Sequence, residues 1–158
     1  MNFYQPRSAS AQKVGQMEAY LTVACILSGF GIAVPMFRIQ RELHMQERHP
    51  DSPNWLAWAD YLVIGSIALS LLLVVLPLVA LPSPGKQALA FAAASCAAAT
   101  ILLAGYPPAI LDHYRIEIGA KRKGDHNKGE PIEKVVVLLT AFIAVAVFAG
   151  VVAWRLAL

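Results

Sequence analysis

Val135–Trp154 reads VVVLLTAFIAVAVFAGVVAW, twenty residues without a charge. At the rise of a helix such a run covers about 30 Å, the thickness of a bilayer's hydrocarbon core. Three more runs of this kind precede it, at about Ala19–Phe37, Tyr61–Leu81 and Ala88–Tyr106. The chain is 58% hydrophobic, against about 45–50% in a soluble domain. The excess falls into four blocks separated by charges, where a soluble protein would scatter charges along amphipathic elements. The expected fold is all-α: an integral membrane four-helix bundle, one transmembrane domain over residues 1–158. Residues 38–60 and 107–134 are its polar loops, so the polar extensions lie on one side.

Working back along the chain, Pro131 suits the first turn of the last helix, where a missing N–H costs nothing. The third block carries AFAAASCAAAT, which includes Ala94, Ser95 and Cys96. Small residues let helix backbones approach closely in lipid. With Gly29, Ala146 and Gly150 they are the candidate packing positions, within the bundle or between copies. Tyr106-Pro107-Pro108 should break or sharply bend the third helix. A short helix resumes from Ala109 to about Ile118, with Gly119 as terminator. Pro77 is expected to kink the second span. Asp51 or Ser52 caps that span's helix and Pro53 opens it. Trp55, Trp58 and Tyr61 then follow at three-residue spacing as an aromatic belt at headgroup level. Tyr114 and the basic cluster Lys121-Arg122-Lys123 are further headgroup candidates. Beyond Phe37, Ile39 and Leu43 stand four apart among charges, so the first helix continues about three turns out of the membrane. There, Arg38 and Glu42 form the better-spaced local ion pair. The polar opening of the chain leads into a retained span and not into a cleavable leader.

Four spans put both termini on one side. The first and third connections hold Arg38, Arg41, Arg48, Arg115, Lys121, Arg122, Lys123, Lys128 and Lys134; the other side holds Arg7, Lys13, Lys86 and Arg155. This nine-to-four bias places loops 38–60 and 107–134 in the cytoplasm and both termini outside. The alanine-rich composition and short loops suggest a bacterial inner membrane. Nine of the ten acidic residues and all four histidines share that basic side, so any docking or chemistry is expected there.

Few chemistries have the residues they need. No histidine lies in a span, which disfavours a transmembrane haem. No ionisable group lies mid-span, which disfavours proton-coupled transport. The serines have no intramembrane base, and neither phosphate-cradling glycine motif occurs. The net charge of +3 and the absence of a long basic run argue against nucleic acid. Neither cofactor nor metal is expected, and Cys25 and Cys96 read as packing groups. The weak catalytic candidates are His44, Glu47, Asp112, His113 and Arg115, of which Asp112-His113-Tyr114-Arg115 is the one local cluster. The leading expectation is a non-enzymatic accessory protein. It contacts membrane lipids and associates through its small-residue faces with a protein partner or with itself, docking that partner on its cytoplasmic face. Two alternatives are an oligomeric pore or membrane-perturbing effector, with Ser66, Ser70, Ser95 and Thr100 at a lumen, and a membrane-surface enzyme acting on a lipid headgroup.

Overall fold

The structure, a computed structural model, describes residues 9–48, 57–123 and 130–158, with the side chains of 9, 42, 45, 46, 48, 112–123, 130 and 131 outside that description. Helix α1 spans Ala9–Arg48, α2 Asp60–Ser70, α3 Leu76–Ala80, α4 Lys86–Lys123 and α5 Glu130–Ala157. A π-helical turn, Leu71–Val75, joins α2 to α3, so the two act as one span. Four stretches are long and apolar enough to cross a membrane: Ser10–Arg41, Asp60–Ala80, Lys86–Leu111 and Ile132–Ala157. They form an all-α four-helix bundle, and the chain is a multipass membrane protein. Trp55 and the cap residues Asp51, Ser52 and Pro53 lie outside the described residues, as do His49 and His126.

Helix α4 touches every other span, whereas α5 packs chiefly on α4 alone. The reason is steric. Ala90, Ala92, Ala94, Ala98 and Ala99 are buried on α4, and small side chains let three neighbours come close. Two glycines mark the tightest approaches. A Cβ on Gly105 would overlap the side chain of Thr140 on α5, and one on Gly31 would lie 2.6 Å from Ile67 Cγ1.

Two apolar clusters fill the interior. One gathers Leu62, Val63, Leu102, Tyr106, Ala109, Val137 and Ala144 toward the end where α2 and α5 begin. The other gathers Ala24, Val74, Leu78, Leu89, Ala92 and Cys96 toward the opposite, terminal end, where α1 begins and α5 ends. At that terminal end Lys86 Nζ donates to the Leu156 carbonyl at 3.4 Å.

Two sequence expectations are corrected. The tandem prolines do not end the third helix: α4 runs through Pro107 and Pro108 without interruption, past Gly119, to Lys123. Tyr106 and Ala109 are buried on either side of the pair, while both prolines face outward. Packing on the inner face therefore holds the helix where the proline rings disturb only the outer one. Breaking the helix there would free more backbone groups than the prolines do. Residues 107–123 are thus helix and not polar loop. The second span begins at Asp60, after a turn in which Ala57 O accepts from Asp60 N at 3.1 Å. Arg38 turns into the bundle, as described below, and the side chain of Glu42, its expected local partner, lies outside the described residues. At Pro77 the expected disturbance takes the form of the π-turn. Leu76 N–H donates to the Leu71 carbonyl, five residues back, and the widened turn relieves the ring's clash with the preceding one.

Candidate functional site

Helices α1 and α4 are far longer than a bilayer requires, at 40 and 38 residues, or about 60 Å each. Both run on beyond the polar end of the bundle. Just inside that end, three charged side chains from three helices converge. Arg38 on α1 is only 8% exposed and pairs with Asp60, which is 17% exposed and opens α2. Glu133 on α5 is 3% exposed, and its Oε1 accepts from the Ala59 backbone N–H at 3.0 Å.

The local logic is that of a helix start. The first amides of α2, on Asp60, Tyr61 and Leu62, donate to the carbonyls of Ala57, Trp58 and Ala59 in the turn before it, and no side chain of the preceding residue caps the helix. The Glu133 carboxylate, from another helix, accepts from the amide of Ala59, the residue just ahead of α2. With Asp60 it puts negative charge at the positive end of the α2 dipole, and the Arg38 guanidinium offsets it. The cluster fastens α1, α2 and α5 at one level, and its charges are consumed in doing so. Next to it, Lys134 Nζ stands 5.0 Å from the centroid of the Trp58 ring. Trp58 and Tyr61 are half exposed with ring centroids 5.8 Å apart.

Glu133 was the residue that reading the sequence alone missed. Its signal was present, because Glu133, Val137, Thr140, Ala144 and Phe148 recur at three and four residues, and Val137 and Ala144 are buried. A carboxylate in the buried stripe of an apolar helix marks an interior partner.

The sequence candidates fall into three groups. Glu47 Oε2 lies 3.7 Å from His44 Nδ1, one turn away on the α1 extension, and both are exposed. Asp112, His113, Tyr114, Arg115, Lys121, Arg122 and Lys123 lie on the α4 extension, and their side chains are outside the described set. Among the packing candidates, Ala94, Ser95 and Cys96 lie inside the bundle. Gly29, Ala146 and Gly150 face outward, and a Cβ on either glycine would meet nothing within 4 Å. The close approaches belong to Gly31 and Gly105 instead. Of the lumen candidates, Ser66, Ser70 and Ser95 face the inside of a single chain. The Thr100 hydroxyl donates to its own helix at Cys96 O, 2.8 Å away. Among the described residues, no three metal-ligating side chains cluster.

Past the Arg38–Asp60 pair, the α1 extension keeps an apolar strip. Ile39 and Leu43, one turn apart, are 53% and 56% exposed, beside the charged Arg41 and Glu47. Compared with protein-family models, curated proteins and solved structures, the chain matches none of them.

Proposed function

We propose that this protein is a non-enzymatic accessory protein of a bacterial inner membrane. It docks a protein partner on the face from which α1 and α4 project, and the nine-to-four distribution of Lys and Arg assigns that face to the cytoplasm. The observation that carries the reading is the exposed Ile39–Leu43 strip where α1 leaves the bundle. Amphipathic helices of this kind present apolar anchors at i and i+4 to a groove in a partner. The charge cluster supports the same reading. Arg38, Asp60 and Glu133 bind one another's helices, and the His44–Glu47 pair lies open to solvent. A headgroup enzyme would need such groups to converge on a water-excluded site.

The test is affinity capture of the tagged chain in mild detergent, with native mass measured on the eluate. The expected result is a stoichiometric foreign partner, lost on Ile39→Glu with Leu43→Glu while the chain's melting midpoint is unchanged. A pure homo-oligomer insensitive to both changes would sink the reading in favour of self-association.

A further inference from the structure

Between the two apolar clusters, α1, α2 and α4 meet in a layer that holds three serines. Ser28 lies one turn beyond Ala24, which belongs to the terminal-end cluster, and one turn before Gly31, which abuts Ile67. Ser70 lies between Val74 of that same cluster and Ser66, whose hydroxyl donates to the Ala99 carbonyl at 2.9 Å. Ser95 lies beside Cys96, one turn before Ala99. The neighbours of each therefore place all three at one level, and all three are more than nine-tenths buried.

Their hydroxyls behave unlike the others in the bundle. Thr100 and Thr140 each donate to the carbonyl four residues back at 2.8 Å, and Ser66 bonds across to α4. Ser28 Oγ, Ser70 Oγ and Ser95 Oγ have no hydrogen-bond partner among the described residues. A helical serine can satisfy itself on its own backbone, so three that do not, in one layer, share a cause. The backbone is also irregular at this level: the π-turn begins at Leu71, and the Leu71 N–H is shared between the Ile67 and Ala68 carbonyls. Such turns recur at functional positions.

The chemistry of the layer narrows what it can hold. It offers hydroxyls that both donate and accept, and no carboxylate or imidazole. The nearby Cys96 thiol is occupied with the Tyr20 carbonyl at 3.7 Å. A buried water makes about three hydrogen bonds to groups otherwise unsatisfied. We propose that Ser28, Ser70 and Ser95 form a binding site for an ordered water molecule. It ties α1, α2 and α4 together midway through the bundle, and α5, which packs chiefly on α4, is outside the tie.

Two measurements on the full chain test this. In the first, melting midpoints are compared for each single Ser→Ala variant, the three pairs and the triple. A water bridge predicts that each single change lowers the midpoint by several degrees. It also predicts that the triple variant costs much less than the sum, because no polar group is then left to satisfy. Single changes that are near neutral and additive would overturn the proposal. The second needs no variant to fold. Magnetisation transfer from water, read by NMR on the unaltered chain in lipid nanodiscs, should reach the amides around Ser70 and Ser95. Its absence there would overturn the proposal equally.

Discussion

Helices α4 and α5 invert the rule that governs soluble proteins. The α5 stretch is the more apolar of the two by sequence, yet only 17% of its most apolar window is buried, against 61% for α4. In lipid an apolar side chain gains nothing by leaving the solvent, so burial follows size and shape. The alanines of α4 go inside because they let neighbours approach. The larger residues of α5, among them Leu138, Phe142 and Val145, face outward. Interior position is then conferred by small residues and by the few polar groups that need partners. By that logic the contacts that hold α5 include Glu133 on the Ala59 amide, Gly105 against Thr140, and the Lys86–Leu156 contact.

Substitutions can sharpen or break this contrast. The largest effect belongs to the buried ion pair. Asp60→Leu breaks the buried pair that joins α1 to α2, and removing one member of such a pair costs about 3–5 kcal/mol; equilibrium unfolding in mixed micelles reads the loss. Next comes Glu133→Leu, which removes a carboxylate acceptor from a buried amide, worth about 1.5–3 kcal/mol. Hydrogen exchange at the start of α2 should accelerate in that variant, while the terminal end stays protected. Gly105→Ala should follow at about 1–3 kcal/mol, since it pushes α5 off α4. Rescue by Thr140→Ser, which trims the opposing methyl, would tie the cost to that contact. Smallest of all, Ala146→Leu and Gly150→Ala on the outer face of α5 should stay within about 0.5 kcal/mol. A large loss at either would mean that this face is covered in the native assembly.

Much of the fold was legible because the spans are bounded by charges and the connections are short. Both termini at one end, the long first helix and the start of α5 at Glu130–Pro131 all follow from that pattern. What was misread depended on contacts between distant residues. Pro107 and Pro108 break a helix that stands alone, but here buried Tyr106 and Ala109 hold it on both sides. The Arg38–Asp60 pair was missed, because Asp60 opens the next span. That pairing was accessible in principle, because residues that close one span and open the next meet at the same membrane level. The exposed Ile39–Leu43 strip was legible as a helical extension, and its exposure only from the packing. For Gly29 and Gly150 composition cannot say which faces meet within one chain, since a glycine reports close approach there only when something stands opposite it.

The most direct test of whether the charge cluster is a fastening and not a reactive site is a double substitution, Arg38→Met with Asp60→Leu. Replacing a buried pair with apolar residues of similar size is often neutral or stabilising. The account predicts that the double variant regains the parent's unfolding free energy, which either single change forfeits. It also predicts that the variant still captures its partner in stoichiometric amount. A double variant that is fully stable yet loses its partner would contradict it, by showing that Arg38 and Asp60 act on something other than each other's helices.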